Sequence, residues 1–277
     1  MNATDKAVKE YIEKYVARGW VEKQSTLDRY LREARRKFPE WLDNVLKEVK
    51  TDEVIGIIGD THCLFDHPNY ADFCYDTFKK NHVTKVIHIG DLVDNHAISR
   101  HQTETCAMSP LEEYAETLEH VKKYTERFPE LTLIRGNHDD IPLRQMASLG
   151  IPPIFLRDMH ELWKLPKKWD IVEDIILNDV YYFHGVGSSG KYCGFNRAMA
   201  NRMSTVQGHI HSAFHCIYHA NPTGLIFGMA VGAGVDNEAY AFAYGKPSPN
   251  KSVLGCGIVF SSVHAMAVPM DKKYFRR

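Results

Sequence analysis

Side chains that can bind metal ions follow five short apolar runs of the sequence. They form the clusters Gly59-Asp60-Thr61-His62, Gly90-Asp91-Leu92-Val93-Asp94, Gly136-Asn137-His138-Asp139, His184-Gly185 and Gly208-His209-Ile210-His211. Asp, Asn and His offer hard oxygen and borderline nitrogen ligands, which suit Mn, Fe, Zn or Mg, and no Cys of a structural zinc site is among them. Two cations held about 3.5–4 Å apart can polarise a phosphoryl group and generate a hydroxide between them. The residue types therefore predict a site for two metal ions.

The elements that must position these clusters alternate between strand and helix. Apolar runs at residues 54–59, 85–89 and 131–134 are of the buried-strand type, and helical patterns at residues 70–79 and 110–127 separate them. This rhythm predicts parallel strands joined by right-handed crossovers. Because ligands bind beyond the carboxyl ends of such strands, we expect the clusters to meet in one crevice.

Beyond Asp170 the strand-like runs come closer together, and one helix is expected near residues 192–203. We interpret this region as a second sheet, mixed or antiparallel, that packs face to face with the first, with helices outside. The runs lie at residues 171–177, 180–183, 205–207, 213–219, 225–231, 257–261 and 263–268.

The first 50 residues differ from the rest in charge, with 12 Lys and Arg against 9 Asp and Glu, which predicts a domain boundary near Lys50. Helical spacing predicts three short helices here, the second of which is basic. One interpretation is a helix-turn-helix-like module whose basic face meets the phosphates of nucleic acid. The alternative is an amphipathic helix hairpin that packs on the main domain or mediates oligomerisation. Residues 51–277 would form the second domain.

The whole chain of 277 residues has an ordinary globular composition, with 44% hydrophobic and 25% charged residues and a formal net charge of -1. This composition excludes a disordered tail, a collagen-like repeat and a small disulfide scaffold. Six Cys are scattered without a C-x-x-C pair, whereas His is abundant, with 15 copies. No apolar run approaches the roughly 18 residues of a membrane span, and the charged N-terminus lacks a signal-peptide core. We therefore expect a soluble, cytoplasmic protein without a membrane partner.

In this order, the five clusters resemble the motifs D-x-H, G-D-x-x-D, G-N-H-[DE], H-G and G-H-x-H of the calcineurin-like metallophosphoesterase superfamily. The likeness covers residues 54–211, and the set is specific although each motif alone would be weak. It implies an α/β fold, a four-layer α-β-β-α sandwich of two mixed sheets, preceded here by the N-terminal helical segment. It also implies a hydrolase of phosphate esters, whose substrate could be DNA or RNA.

The resemblance implies seven metal ligands and two further catalytic residues. His138 would act as the general acid or stabilise the phosphate, and Asp94 would orient it by a hydrogen bond. The attacking group would be a hydroxide that bridges two divalent ions, Mn²⁺ first, with Fe, Zn, Mg and Ni as alternatives. The implied ligands are Asp60, His62 and His211 for the first ion, Asn137, His184 and His209 for the second, and Asp91 as the bridge between them.

Two positions distinguish this chain within the superfamily. Serine/threonine protein phosphatases carry Arg where Asn95 stands and Glu where Asp139 stands, which argues against that subfamily. The motif spacing and residues 66–69 and 228–257 look most like phosphoesterases encoded by bacteriophages. The cytoplasm would be that of a host cell if the chain is phage-encoded. G-D-L-V-D together with G-N-H-D is also close to nucleases that process DNA ends.

From these motifs we expect cleavage of a phosphodiester, preferably in nucleic acid, by a nuclease-like enzyme. Two alternatives stay open. The same metal site could hydrolyse phosphomonoesters of nucleotides or small molecules. Otherwise, residues 1–50 could make the chain a nucleic-acid-binding or assembly protein with a vestigial metal domain, although an intact set of ligands argues against this.

Four further residues are candidates for substrate contact. Arg100 and His101 lie in a polar stretch between the second and third motifs, which could form one wall of the cleft or a plain surface loop. Lys191 and Arg197 follow the glycine-rich turn of residues 185–190 and could add positive charge near a helix N-terminus that takes an anion.

Overall fold

A computed structural model describes residues 3–18, 30, 33–34, 36–39, 41, 53–99, 108–222, 224–239 and 251–275. The chain divides into two compact units, Met1–Glu53 and Val54–Arg277. Among the described residues, no helix is both long enough and apolar enough to cross a membrane.

In the first unit, helix α1 spans Ala3–Arg18. Ile12 on its apolar face is buried in a small cluster with Ala34. The Lys37 ammonium lies 2.9 Å from the Asp5 carboxylate of α1, so this basic side chain is already paired within the unit. Most of the second and third helices predicted for this segment lies outside the described residues.

The second unit contains strands of four to eight residues connected by helices and turns. Its strands, in chain order, are β1 (Ile55–Ile58), β2 (Lys85–His88), β3 (Leu131–Ile134), β4 (Trp169–Val172), β5 (Asp174–Leu177), β6 (Val180–Phe183), β7 (Ser204–Gln207), β8 (Phe214–Asn221), β9 (Gly224–Val231), β10 (Gly255–Ser261) and β11 (His264–Pro269). Its helices are α2 (Tyr70–Lys80), α3 (Pro110–Arg127), α4 (Ile141–Ser148), α5 (Met159–Leu162) and α6 (Cys193–Asn201), with 3₁₀ turns at His96–Ile98, Pro153–Phe155 and Lys272–Phe275.

The strands form two mixed sheets, as the predicted fold class requires. The first sheet has the order β11-β10-β1-β2-β3-β4, in which β1 to β4 run parallel and β10 pairs antiparallel with both β1 and β11. The second has the order β5-β6-β7-β9-β8, in which β6, β7 and β9 run parallel between two antiparallel edge strands. The loops after β1, β2 and β3 therefore leave the first sheet at one end, and those after β6 and β7 leave the second sheet at one end.

An apolar core lies between the two sheets, and helices cover both outer faces. Ile57 of β1 belongs to the core between the sheets together with Val206 of β7. The next residue, Ile58, belongs to the cluster formed with α2 and α3, because successive side chains of a strand point to opposite faces. On the outer face of the second sheet, Cys193 of α6 packs with Ala230. The predicted order of layers, helix, sheet, sheet and helix, is confirmed.

Helix α3 begins where the sequence predicts because its first turn carries a capping box. Ser109 Oγ accepts a hydrogen bond from Glu112 N at 3.4 Å, and Glu112 Oε2 accepts one from Ser109 N at 2.8 Å. Pro110 occupies the first helical position, where a backbone N–H would have no hydrogen-bond partner within the helix, so proline is tolerated there. Arg127 in the last turn places positive charge at the negative end of the helix dipole.

Two details of the predicted second sheet are wrong. The single strand predicted at residues 171–177 is two strands, because the chain leaves β4 at Glu173 and enters β5 in the other sheet. The last two strands join the first sheet rather than the second, and Gly257 of β10 lies opposite Ile57 of β1. Both errors have one physical cause. The apolar pattern of a strand shows that it is buried, but its partner strand is decided by tertiary packing.

The hydroxyl of Tyr70 braces the end of β1. Tyr70 is fully buried, and its Oη accepts a hydrogen bond from Gly59 N at 2.9 Å while donating one to Gly255 O at 2.6 Å. Since Gly59 directly precedes Asp60, the hydroxyl supports the backbone from which the first polar cluster begins.

We expect the substitution Tyr70→Phe to lower the free energy of unfolding by about 2 kcal/mol, because it leaves a buried N–H and a buried carbonyl unpaired. Urea denaturation followed by circular dichroism measures the change. Tyr75→Phe on the same helix is the matched control, since Tyr75 is 38% exposed. Its effect should stay within about 0.5 kcal/mol. Equal effects of the two substitutions would contradict the role given to the Tyr70 hydroxyl.

Candidate metal centre

The polar clusters that follow the strands are in contact with one another. Asp60 follows β1 of the first sheet, and His209 follows β7 of the second. Asp60 Oδ2 accepts a hydrogen bond from His209 N at 2.8 Å, so the ends of the two sheets meet here. Within the first sheet, His62 N donates to Asp91 O at 2.9 Å. His138 N donates to Asp91 Oδ1 at 2.7 Å. The side chains that the sequence predicts to converge therefore lie together.

Asp60, His62 and His211 form the first group of side chains that could hold a metal ion. His62 Nε2 and His211 Nε2 lie 3.1 Å apart, and His211 Nε2 lies 3.3 Å from Asp60 Oδ2. His62 Nδ1 lies 2.5 Å from Asp94 Oδ1, which places the ring proton on Nδ1 and the lone pair on Nε2. Two imidazole nitrogens and a carboxylate oxygen this close together could hold a cation between them.

Asp91, His184 and His209 form the second group, to which Asn137 is adjacent. His184 Nε2 lies 3.1 Å from Asp91 Oδ2 and 3.0 Å from Asn137 Oδ1. His184 Nδ1 lies 3.0 Å from Ile89 O, and a carbonyl can only accept, so the ring proton is on Nδ1. Nε2 therefore faces the carboxylate and amide oxygens, and it could offer its lone pair to a metal ion after losing its own proton.

Asp91 connects the two groups. It is 1% exposed, and its Oδ2 lies 3.5 Å from His62 Nε2 and 3.1 Å from His184 Nε2. These two histidines belong to different groups and follow strands of different sheets, β1 of the first and β6 of the second. One buried carboxylate thus lies between two sets of nitrogen ligands.

A third group contains His62, Asp91 and His138, and Asp94 orients both of its imidazoles. Asp94 Oδ1 lies 2.5 Å from His62 Nδ1 and 3.3 Å from His138 Nδ1. His138 Nδ1 also lies 2.8 Å from Asp94 O, so it donates to this residue. Because Nδ1 of His138 is held by Asp94, Nε2 is the nitrogen of this ring that could contact a bound molecule.

The loops that carry these side chains have an unusual backbone. His62 and Asp91 have φ angles of 45° and 50°, in the left-handed region that costs about 1–3 kcal/mol for a non-glycine residue. Two glycines permit close approach to the carboxylates. A Cβ on Gly136 would lie 2.1 Å from Asp91 Oδ1, and one on Gly208 would lie 2.2 Å from Asp60 Oδ1. The glycines of the motifs are therefore needed for space around the ligands.

Buried charges shift the pKa values of the central side chains. Burial lowers the pKa of His184, but the negative charges of Asp91 and Asp60 outweigh burial and raise it to about 10. Burial also lowers the pKa of His138, while Asp94 and Asp91 raise it to about 9. Burial opposes ionisation of Asp91, yet the nearby histidines, His184 first, hold its pKa well below its usual range. These carboxylates require positive charge beside them, which protons on histidine or bound cations supply.

The donor set fits a divalent cation. Asp60 Oδ1 is buried and, among the described residues, has no hydrogen-bond partner, whereas Oδ2 of the same side chain is bonded to His209 N. An unpaired buried carboxylate oxygen is costly unless a cation or water contacts it. The surrounding ligand atoms are oxygens of Asp and Asn and nitrogens of His, which suit divalent metals of the first transition row.

Of the four predicted substrate contacts, the structure describes only Lys191 and Arg197, and neither lies among these groups. Arg100 and His101 lie outside the described residues. Lys191 is exposed, near the start of α6. The Arg197 guanidinium lies 4.9 Å from the centre of the Phe183 ring, a side chain that points away from the core between the sheets. The geometry therefore places Arg197 on the outer face of the second sheet rather than among the metal ligands.

Sequence reasoning missed buried carboxylates that hold the loops together. Asp139 Oδ1 accepts a hydrogen bond from Val93 N at 3.2 Å and its Oδ2 accepts one from Gly136 N at 2.8 Å, which joins the second motif to the third. Glu113 on α3 is 6% exposed. Its helical spacing from Thr117, on the buried face of α3, is the signal that could have identified it, because a carboxylate on an apolar face needs a partner.

A family model described as calcineurin-like phosphoesterase matches residues 54–220, more than half of the chain. The chain belongs to this family. It is a hydrolase of phosphate esters, and family membership together with the His and Asp groups indicates that it binds divalent metal. The resemblance carried by the five motifs is confirmed at the level of the family, while its likeness to phage enzymes stays a prediction.

Several solved structures are similar to the chain at low sequence identity. Vacuolar Protein Sorting 29 from Cryptosporidium parvum is 11% identical, covers 79% of this chain and 88% of that one, and has a TM-score of 0.39. The phosphoesterase YfcE from E. coli is 14% identical over 79% of this chain and 100% of that one, with a TM-score of 0.33. The nuclease MPE from Pseudomonas putida is 13% identical over 76% of this chain and 85% of that one, with a TM-score of 0.29. No curated protein matches the chain.

We expect Gly136→Ala to weaken Mn²⁺ binding by the phosphoesterase at least about tenfold, because the added Cβ displaces the Asp91 carboxylate. Isothermal titration calorimetry of the metal-free protein measures the affinity. Gly150→Ala is the control, since nothing lies within 4 Å of its added Cβ, although its φ of +68°, unlike the backbone of Gly136, is unfavourable for alanine. The control should lose stability without losing metal affinity. Unchanged Mn²⁺ binding by Gly136→Ala would exclude Asp91 as a ligand.

Proposed function

We propose that this phosphoesterase has a binuclear metal centre and cleaves phosphodiesters in nucleic acid. One observation carries the proposal. Asp91 Oδ2 lies 3.5 Å from His62 Nε2 and 3.1 Å from His184 Nε2, between two groups that could each hold a metal ion. A carboxylate in this position can be shared by two cations held side by side.

The proposed ligands come from both sheets and consist of oxygen and nitrogen donors. When bound, two divalent cations polarise the phosphoryl group and lower the pKa of a water molecule that attacks it. Mn²⁺ is the first choice for such a donor set, and Fe, Zn, Mg and Ni are the alternatives. The ligands would be Asp60, His62 and His211 for one ion, Asn137, His184 and His209 for the other, and Asp91 for both.

His138 is proposed to protonate the leaving-group oxygen or to stabilise the phosphate. The hydrogen bond from its Nδ1 to Asp94 O, at 2.8 Å, fixes the ring and leaves Nε2 to face a ligand. In the metal-free protein, burial lowers its pKa but Asp94 and Asp91 raise it to about 9, so the ring carries a proton at neutral pH. The side chain is 13% exposed, so a substrate can reach it. Asp94 acts through His138 and His62 as a positioning residue.

Support for a diester substrate in nucleic acid comes from the motifs. G-D-L-V-D and G-N-H-D are close to those of nucleases, and Asn95 and Asp139 replace the Arg and Glu of protein phosphatases. Residues 1–50 are proposed to contact nucleic acid or to mediate oligomerisation. Arg100, His101 and Lys191 are also proposed to contact the phosphate, whereas the position of Arg197 against Phe183, on the outer face of the second sheet, argues against that role for Arg197.

We expect Asp91→Asn to lower kcat/KM at least about 100-fold, because it removes a negative charge that both cations require. Hydrolysis of bis-p-nitrophenyl phosphate in the presence of Mn²⁺ measures the loss. Asp179→Asn makes the same chemical change at an exposed turn whose φ of 59° is close to the 50° of Asp91. This control should retain activity. An active Asp91→Asn enzyme would show that the assigned metal centre is wrong.

Substrate preference is tested by comparing esters and nucleic acids with one preparation. We expect a higher kcat/KM for bis-p-nitrophenyl phosphate than for p-nitrophenyl phosphate, and cleavage of at least one of single-stranded DNA, duplex DNA and RNA. Chelation with EDTA should abolish both activities, and Mn²⁺ should restore them. The Asp91→Asn protein, purified in the same way, controls for contaminating nucleases. A strong preference for the monoester, without cleavage of nucleic acid, would support a phosphomonoesterase instead.

A further inference from the structure

The segment after the second motif is held by a buried carboxylate on α3. Asn95 has a φ of 55°, and the chain then enters the 3₁₀ turn His96–Ile98. Glu113 Oε1 accepts a hydrogen bond from His96 N at 2.6 Å, and Glu113 Oε2 accepts one from Ala97 N at 2.5 Å. The first N–H groups of a helical turn have no partner within the turn. The Glu113 side chain, which is 6% exposed, therefore accepts hydrogen bonds from two of these N–H groups.

This segment contacts His138 on two sides. Asn95 Nδ2 donates to His138 O at 2.9 Å, so it fixes the backbone of that residue. His138 Nδ1 donates to Asp94 O at 2.8 Å, so the neighbouring peptide fixes the imidazole. On the far side of the turn, Gln145 Nε2 of α4 donates to Ile98 O at 2.7 Å. The position of the His138 ring thus depends on where residues 94–98 are held.

Burying a carboxylate at this position of α3 costs desolvation free energy, which stability alone does not explain. Glu113 shares the buried face of the helix with Thr117 and Val121, where an apolar side chain would pack without any cost of desolvating a charge. The carboxylate determines the position of the turn, because its two oxygens accept hydrogen bonds from two consecutive N–H groups of that turn.

We infer that Glu113 is a positioning residue for His138: its carboxylate fixes the turn that begins at Asn95, and Asn95 and Asp94 in turn fix the acid. The inference rests on the acid role proposed for His138. It extends the functional set to a helix that contains none of the five motifs.

The test uses two diesters whose leaving groups differ in their need for a proton. Diphenyl phosphate releases phenolate, a poor leaving group, whereas bis-p-nitrophenyl phosphate releases p-nitrophenolate, which departs with little help from an acid. Glu113→Gln keeps the size of the side chain but turns an NH₂ group towards one of the two backbone N–H donors. We expect its kcat for diphenyl phosphate to fall about tenfold or more, with less than about a threefold loss for bis-p-nitrophenyl phosphate and an unchanged KM.

A second variant tests the link between the turn and His138 directly. Asn95→Gly retains the left-handed backbone and removes only the amide that donates to His138 O, so the same selective loss is expected. Glu112→Gln is the matched control, because Glu112 is the exposed neighbour of Glu113 on the same helical turn, and both activities should be retained. Thermal unfolding shows whether each variant is folded. If Glu113→Gln does not fold, Asn95→Gly decides the question.

The outcomes separate this inference from the proposed function. Equal losses on both esters, or no loss on either, in folded Glu113→Gln or Asn95→Gly would overturn the positioning role. His138→Ala provides the reference, because loss of the acid should itself be selective for diphenyl phosphate. If folded His138→Ala loses both activities equally, His138 is not the acid, and the positioning role of Glu113 fails with it while the proposed metal centre stands. If the wild-type enzyme hydrolyses neither ester with Mn²⁺, the proposed function fails instead.

Discussion

Burial of the Asp91 carboxylate is the constraint on which the rest of the metal centre depends. At 1% exposure its charge must be balanced inside the protein, because an unpaired ion in the interior costs several kcal/mol. His184 and His62 place imidazole nitrogens near one oxygen, and His138 N donates to the other. When metal is absent, the proton on His184, whose pKa burial lowers but Asp91 and Asp60 raise to about 10, balances this charge. A bound cation would displace that proton, since a ligating imidazole must be neutral, so the same geometry serves both states.

The same constraint explains why the proposed ligands follow strands of two sheets. One strand end offers at most a few donor side chains, whereas facing sheets whose parallel strands end together offer several from independent elements. The hydrogen bond from His209 N to Asp60 Oδ2, at 2.8 Å, is where the two sheets meet at the centre. Rigid strands on both sides allow the strained backbone of His62 and Asp91 to persist, because the packed sheets determine where these residues lie.

Much of this arrangement could be predicted from the sequence, because the ligands directly follow apolar runs whose burial is visible in composition. Asp60 and His209 lie two residues beyond their strands, so predicting the strands also placed these residues. The assignment of strands to sheets could not be predicted in the same way. The chain changes sheets at Glu173, and no local pattern marks that change, because β4 and β5 are similar short runs with different partners. Glu113 was missed for a related reason, since its hydrogen-bond partners are 16 and 17 residues away along the chain.

His184, a proposed metal ligand, and His138, the proposed acid, lie at different distances from the strands that precede them. His184 immediately follows β6, so the hydrogen bonds of the sheet hold its backbone, whereas His138 lies four residues beyond the end of β3. A loop at that distance keeps a fixed shape only if side chains bond its backbone. Here the Asp139 carboxylate accepts a hydrogen bond from Gly136 N, and the Asn95 amide donates one to His138 O. The position of His184 therefore follows from its strand, whereas the position of His138, the proposed acid, also depends on the side chains of Asp139 and Asn95.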